Sequence, residues 1–272
     1  MKKVIIELAP VSAAAKIDYS QLVDDIVRSI DQGASICHLH SRNTKGELTA
    51  DPTEMIHCFE EVLEKRSVIV QASTGGVSDL TIAERCSPLK STIVESCSLN
   101  GGSTNLGEVI YNNSFADIRY VSNLAYQQNI YPEIEVFDIG MIQAVENLSK
   151  TTPFKSPKLY NLVFGHPGGM QATIKNLIAF CAFVPENCLW GVTHYGRMDW
   201  DFLACAITLG ATNVRIGFED SKLLSGIKTA SYNYEIVERL SHLIQAIGYS
   251  VATVSEAREI LEIGGPSHES KS

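Results

Sequence analysis

The sequence predicts an α/β protein: a single-domain (β/α)8 barrel, or TIM barrel, in which eight parallel strands alternate with helices. Short β-rich runs alternate with longer amphipathic runs along nearly the whole chain, which is the pattern of repeated βα units around a parallel sheet. Eight such strands can be recognised, and the length of 272 residues suits one barrel, which needs roughly 250. A dinucleotide-binding open sheet would carry a G-x-G-x-x-G turn after its first strand, and this chain has no such turn there.

The eight candidate strands are short and mostly apolar, and they comprise residues 3–9, 35–41, 67–73, 92–98, 133–137, 158–165, 189–195 and 213–218. The candidate helices have amphipathic spacing, and they comprise residues 19–32, 52–65, 80–86, 114–129, 141–149, 171–183, 199–209 and 233–247. Several end on a stop signal, such as Gly33 and Gly210. We expect the barrel to span residues 1–263, and residues 264–272 to form a frayed tail because they are rich in Gly, Pro and Ser.

The composition argues against several classes of function. A net charge of −9 repels nucleic acid and anionic membranes. No apolar stretch approaches the roughly 20 residues of a membrane span, and the N-terminus lacks the apolar segment of a signal peptide. The seven cysteines are scattered without a C-x-x-C spacing, as expected of reduced thiols. We therefore expect a cytoplasmic protein that acts on a small molecule and binds neither nucleic acid nor membrane.

The second strand carries two candidate metal ligands. Side chains alternate along a strand, so His38 and His40 point to one face while Leu39 points to the other. Both imidazoles then face the barrel axis, near the strand end where barrel enzymes place their catalytic groups. Each ring has a donor and an acceptor to satisfy, and a metal bound to the acceptor nitrogens offers a shared partner. A hydrogen-bonded histidine pair is an equally good interpretation of this motif alone.

The eighth strand ends in two adjacent carboxylates, Glu219 and Asp220. One could bind a metal while the other acts as a base. An N-cap or a solvated acidic turn is the alternative interpretation. Together with His38 and His40, Glu219 completes a set of two histidines and one carboxylate that leaves coordination positions open for substrate.

Polar, glycine-rich segments follow three other strands. Residues 73–76 follow the third strand, residues 98–107 the fourth and residues 165–169 the sixth. Their hydroxyls and accessible backbone N–H groups could bind an anion. Ordinary turns and a solvated connector are the alternatives.

In their order along the chain, these segments resemble the β-keto acid cleavage enzymes, a zinc-dependent family whose best-known member cleaves 3-keto-5-aminohexanoate. No single motif is specific, but their joint order is. The matching segments are H-L-H followed by Arg42, S-T-G-G at 73–76, S-L-N-x-G-S-x-N-x-G at 98–107, residues 132–140, P-G-G at 167–169, Gly196-Arg197, R-x-G-x-E-D at 215–220 and residues 256–261.

The resemblance implies roles for particular residues. His38, His40 and Glu219 would be the zinc ligands. Asp220, supported by Arg215, would be the general base, and Glu135 a further polar group at the catalytic site. The residues that would bind the keto acid are Ser73, Thr74, Gly75, Ser98 and Asn100.

The implied reaction condenses a β-keto acid with acetyl-CoA and cleaves the product by retro-Claisen chemistry to acetoacetate and an acyl-CoA. The resemblance also implies Zn²⁺ as cofactor, acetyl-CoA as co-substrate and a homotetramer.

The chain departs from this family in its first loop, residues 9–16, which is short and apolar. Ala13 lies near the position where the aminohexanoate enzyme has an acidic, ammonium-binding residue, which argues against that substrate. His166 and His194 are also unusual for the family, and they are either pocket groups or surface substitutions.

Two other functions stay open. One is a metal-dependent barrel hydrolase, although the amidohydrolase pattern places its H-x-H on the first strand, which has no histidine here. The other is a non-catalytic barrel that binds a metal or metabolite.

Overall fold

Eight parallel strands form a closed barrel, as the sequence predicts. The computed structural model describes residues 2–13 and 15–264, so the predicted tail at 264–272, apart from Gly264, lies outside the described residues. The barrel strands are β1 Lys3–Leu8, β2 Ile36–Leu39, β3 Ile69–Ser73, β4 Ser96–Asn100, β5 Tyr131–Val136, β6 Leu159–Phe164, β7 Leu189–His194 and β8 Asn213–Ile216. The barrel closes because β8 pairs in parallel with β1, from Ile5 opposite Asn213 to Leu8 opposite Ile216.

Helices cover the outside of the barrel. They are α1 Tyr19–Asp31, α2 Thr53–Lys65, α3 Ile82–Arg85, α4 Phe115–Gln127, α5 Ile139–Leu148, α6 Ile174–Cys181, α7 Asp201–Leu209, α8 Asn233–Ala246 and α9 Val254–Leu261, with a 3-10 turn at Ser87–Lys90. Polar N-cap side chains start several of them: Ser114, for example, accepts a hydrogen bond from the backbone N–H of Asp117, which satisfies an otherwise free donor. Among the described residues, no helix is both long and apolar enough to cross a membrane.

The fourth strand is shifted from its predicted position. The sequence predicts a strand at 92–98, whereas β4 spans Ser96–Asn100. The apolar run before Ser96 resembles a strand, but the pairing register decides: Ser98 lies opposite Ser73 on one side and Glu133 on the other. The shift matters because it makes Asn100 a buried strand residue instead of part of a loop.

Both ends of the barrel carry short elements that the strand pattern does not predict. Two hairpins, Thr104–Leu106 with Val109–Tyr111 and Leu223–Ser225 with Lys228–Thr229, follow β4 and β8. At the other end, Ser250–Val251 pairs with β1 and leads into α9. An apolar cluster joins α9 to the N-terminal halves of the strands and so closes the bottom of the barrel; it contains Ile5, Ile36, Ile69, Tyr131, Leu159, Ala257 and Leu261.

Polar side chains fill the barrel interior above that apolar floor. The alternation of side chains sends residues such as Leu8, Cys37 and Val70 outward into the helix layer. The inward positions above the floor are buried and polar: Glu7, His38, Gln71, Ser73, Ser96, Ser98, Asn100, Glu133, Glu135, Asn161, Thr193, Asn213 and Arg215. Burying so many polar groups is costly unless each is bonded, and their partners define the site described next.

Candidate metal centre and active-site pocket

The two histidines of β2 and a carboxylate beyond β8 meet at the C-terminal end of the barrel. One ligand atom from each of His38, His40 and Glu219 lies within 4.8 Å of the other two. The rings of His38 and His40 are edge to face, with centroids 5.2 Å apart, and His40 Nε2 lies 3.4 Å from Glu219 Oε1. These three side chains therefore converge on a space that one ion could occupy.

Two ring nitrogens of this cluster are buried without a partner, His38 Nε2 and His40 Nδ1. Burial and the nearby Arg215 lower the pKa of His38 to about 3, so its imidazole is neutral and keeps a lone pair. A buried neutral imidazole with a free acceptor nitrogen is what a metal ligand requires. The donor set of two nitrogens and one carboxylate oxygen therefore fits a divalent metal such as zinc.

The position of Glu219 depends on the turn after β8. Gly217 has φ +140°, and a Cβ there would lie 2.1 Å from the carbonyl oxygen of Ala9. Glycine lets the two backbones approach, and the N–H of Glu219 then donates to that same oxygen at 3.1 Å. The turn thus brings Glu219 from the last strand to the histidines of the second.

Arg215 holds three carboxylates together. Its Nε and Nη2 donate to the two oxygens of Asp220 at 3.1 and 3.0 Å, Nη1 donates to Glu135 at 2.9 Å, and Nη2 donates to Glu219 at 2.7 Å. The guanidinium is buried and its pKa lies well above the usual value: burial opposes this, but Asp220, Glu219 and Glu135 outweigh it. The permanent charge of one arginine therefore organises the acidic half of the site.

The three carboxyls differ in proton affinity. Burial would raise the pKa of Glu219, but Arg215 and His40 hold it well below its usual range, which keeps it anionic. Burial and the neighbouring Glu219 raise the pKa of Asp220. Burial raises the pKa of Glu135 to about 7, although Arg215 opposes the shift. Groups with such shifts are typical of acid–base sites.

The predicted keto-acid-binding residues lie on neighbouring strands beside these carboxyls. The hydroxyls of Ser73 and Ser98 are 3.3 Å apart, and neither side-chain polar atom of Asn100 has a partner. Thr74 donates its hydroxyl to the backbone oxygen of Ser98 at 2.6 Å, so it also supports the turn. A Cβ on Gly75 would lie 1.8 Å from the hydroxyl of Tyr111.

A cavity of about 770 Å³ opens above the metal cluster. His40, Glu219 and Asp220 line its floor, whereas Ser73, Ser98 and Asn100 lie buried outside its lining. Its remaining walls include Ala13, Arg42, Lys45, Leu48, Leu106, His166 and Tyr195. The sequence motifs alone do not identify Leu48 or Tyr195, because they come from different loops that only the fold brings together.

The structure separates the two unusual histidines. His166 lines the cavity and stacks on Tyr195, with ring centroids 3.9 Å apart. His194 is absent from the lining and packs edge-on against Phe202 at 4.9 Å. His166 is therefore a pocket group and His194 a packing residue.

Comparison with known proteins identifies the family. The family described as beta-keto acid cleavage enzyme matches residues 3–263. The chain belongs to the β-keto acid cleavage enzymes. It is 33% identical to the 3-keto-5-aminohexanoate cleavage enzyme of Fusobacterium nucleatum, over 97% of this chain and 99% of that protein. The resemblance found in the sequence is thereby confirmed.

Other relatives of the chain are named as acetyl-CoA transferases. The chain is 26% identical to the 3,5-dioxohexanoate:acetyl-CoA acetone transferase of Paraburkholderia graminis, over 97% of each protein. Among solved structures, it superimposes on ObcA in its ternary complex with a C4-CoA adduct and oxalate, with a TM-score of 0.74 and 16% identity, covering 92% of this chain and 67% of ObcA. That likeness shows that this chain and ObcA share a fold.

Proposed function

We propose that this protein is a zinc-dependent β-keto acid cleavage enzyme that uses acetyl-CoA as co-substrate. It condenses a β-keto acid with acetyl-CoA and releases acetoacetate and the CoA ester of the remaining acyl group. The observation that carries the proposal is the convergence of His38, His40 and Glu219 within 4.8 Å, beside a carboxylate–arginine cluster and under an open cavity.

The metal ligands are His38, His40 and Glu219. Three protein ligands leave zinc an open position for substrate, and bound zinc supplies Lewis-acid stabilisation of the negative charge that develops on the keto and carboxylate oxygens. Ser73, Ser98 and Asn100 orient the carboxylate from the adjoining strands. The unpartnered amide of Asn100 supports this role, because a buried amide left unbonded is costly and a ligand oxygen would satisfy it.

Asp220 is the general base that takes the proton from the carbon between the two carbonyl groups. It lines the cavity floor, and two hydrogen bonds from Arg215 fix its orientation. Glu135, bonded to the same guanidinium, holds a proton near neutral pH, since its pKa is raised to about 7. Asp220 thus accepts a proton, and Glu135 holds one beside it.

The substrate lacks a distal ammonium group. Ala13 provides no carboxylate in the cavity wall, and the neighbouring wall carries the cations Arg42 and Lys45, the anion Glu47 and the apolar Leu48. At position 13 a distal ammonium group would therefore lack an acidic partner, and the two cations would oppose its binding. The proposed substrates are therefore β-keto acids with an uncharged or anionic distal group.

Zinc content and CoA-dependent turnover test this function. We expect about one zinc per chain and acetoacetate release from acetyl-CoA with a panel of β-keto acids, both lost in His38→Ala. His242→Ala is the matched control, because His242 lies on α8, away from the three proposed ligands. This variant should retain both the zinc and the turnover. Metal without CoA-dependent turnover on any keto acid would support a hydrolase or a binding protein instead, and a metal-free protein would overturn the site assignment.

A further inference from the structure

A chain of hydrogen bonds crosses the barrel interior beneath the pocket and ends at the metal ligand His38. His38 Nδ1 lies 2.5 Å from Gln71 Oε1, and Gln71 Nε2 donates to Glu133 Oε2 at 2.8 Å. Glu133 Oε1 accepts from Asn161 Nδ2 at 2.5 Å, and Asn161 Oδ1 accepts from the Thr193 hydroxyl at 2.9 Å. All five side chains are buried, so each bond has little competition from water.

The chain fixes the direction of the Gln71 amide. A carboxylate oxygen accepts hydrogen bonds, so the Gln71 atom that faces Glu133 Oε2 is the NH₂ group. Ser96 independently indicates the same amide orientation. Its hydroxyl donates to the backbone oxygen of Tyr131 at 2.9 Å, so the hydroxyl oxygen can only accept, and it accepts from Gln71 Nε2 at 3.4 Å. The carbonyl oxygen of Gln71 must therefore face His38.

A second buried carboxyl group, Glu7, lies near Glu133 in the barrel interior. Glu7 Oε2 accepts a hydrogen bond from Asn213 at 2.6 Å, whereas its Oε1 has no partner among the described residues. Burial and repulsion from Glu133 raise the pKa of Glu7 well above its usual range. Glu7 therefore favours its protonated form, while Glu133 accepts hydrogen bonds from both Gln71 and Asn161.

We propose that Gln71, oriented by the Glu133 carboxylate, is a positioning residue that fixes the tautomer of His38 and thereby sets the affinity of the metal site. Because the Gln71 oxygen that faces Nδ1 is an acceptor, His38 must carry its proton on Nδ1. Its Nε2, which has no partner, then holds the lone pair that points to the metal. This inference rests on the proposed metal site but not on the proposed reaction.

Removing the acceptor should weaken metal binding without touching a ligand. In Gln71→Leu, His38 loses the partner that keeps the proton on Nδ1, and the affinity for Zn²⁺ or Co²⁺, measured by chelator competition, should fall about 10- to 100-fold. Gln71→Glu should restore most of it, because a protonated Glu can donate to Glu133 and accept from His38 as the amide does. Thr193→Val, which removes only the far end of the chain, is the control and should leave metal affinity unchanged.

The tautomer can be read directly in the unaltered, metal-free protein. Two-bond ¹H–¹⁵N spectra of the histidine rings, with His38 assigned by His38→Asn, should show a proton on Nδ1 and none on Nε2. A proton on Nε2 would overturn the inference even if Gln71→Leu failed to fold. Unchanged metal affinity in a folded Gln71→Leu would also overturn it while leaving the proposed function intact, whereas a parent protein that binds no metal would overturn both.

Discussion

The proton affinities of individual carboxyl groups at this site depend on the charges around them. Asp220 and Glu135 both contact Arg215, yet Asp220 takes two of its hydrogen bonds and Glu135 one. Glu135 is also repelled by Glu133, Glu219 and Asp220. Burial and these three like-charged neighbours raise the pKa of Glu135 to about 7, although Arg215 opposes the shift.

Glu135 should give the metal-free protein a measurable pH dependence of stability. Its pKa is raised from 4.5 to about 7 on folding, so between these values the folded state binds more protons than the unfolded state. Stability is therefore lost as pH rises through this window, by about 3 kcal/mol for this one group. We expect urea unfolding of the parent and of Glu135→Gln to diverge from pH 5 to pH 8, with the parent falling relative to the variant.

The same comparison can contradict this assignment. If both proteins show parallel stability curves across this range, Glu135 does not hold its proton near neutral pH. Its proposed role beside Asp220 would then lose its support.

At the scale of secondary-structure elements, the candidate site is built by the ends of the strands more than by their middles. The β8 turn shows this, because Gly217 permits the close approach to Ala9 that carries Glu219 toward the histidines. The shifted β4 shows it too, since Asn100 reaches the site only as the last residue of a strand paired with Glu135.

Gly217→Ala should damage both stability and metal binding. A Cβ there would lie 2.1 Å from the Ala9 oxygen, so the turn must move and Glu219 must move with it. We expect a loss of more than about 1 kcal/mol in unfolding free energy, together with weaker Zn²⁺ binding in the folded fraction. Thermal unfolding and chelator competition would measure the two effects.

Gly226→Ala is the matched control for this prediction. Gly226 also has positive φ, +55°, but a Cβ there would meet nothing within 4 Å. It should cost less than Gly217→Ala, about 1–2 kcal/mol as the ordinary penalty of a left-handed alanine, and leave metal affinity unchanged. Equal effects of the two substitutions would show that backbone conformation, not the approach to Ala9, limits the turn.

At the scale of the whole molecule, the two ends of the barrel have separate tasks. The metal cluster and cavity lie at the C-terminal end of the strands, and α9 closes the opposite end. Arg258 on α9 ties this floor to the barrel through two hydrogen bonds to Glu95, at 2.7 and 2.8 Å. In barrels of this kind the bottom face serves stability and the top face serves function.

Arg258→Gln should therefore lower stability while sparing the metal site. The pair is only about one-fifth exposed, and losing a charge-assisted bidentate contact costs about 1.5–3 kcal/mol. Arg66→Gln is the matched control, because Arg66 pairs with Asp31 with both side chains nearly half exposed, and solvent-exposed ion pairs contribute little to stability. Chemical denaturation should separate the two variants, and a loss of zinc affinity in Arg258→Gln would contradict the division of tasks.

The amino-acid sequence alone predicts the barrel and the direction in which the side chains of each strand point. Alternation along β2 predicts that His38 and His40 share a face, because side chains alternate strictly in a strand, and the apolar runs mark the strands. The same alternation, extended back from Ser73 and Glu135, would have placed Gln71 and Glu133 in the barrel interior. The functional roles of the predicted site residues stay predictions.

Which of these residues come into contact depends on the folded barrel. Closure of β8 onto β1 brings Glu219 to His38 and His40, and no local pattern contains that contact. The folded barrel also determines that His166 faces the cavity while His194 packs against Phe202. Local sequence governs which side chains of a strand share a face, because side chains alternate along the strand. The distances between strands and the charges around Arg215 depend instead on strand register, on barrel closure and on loops that pack together only in the folded protein.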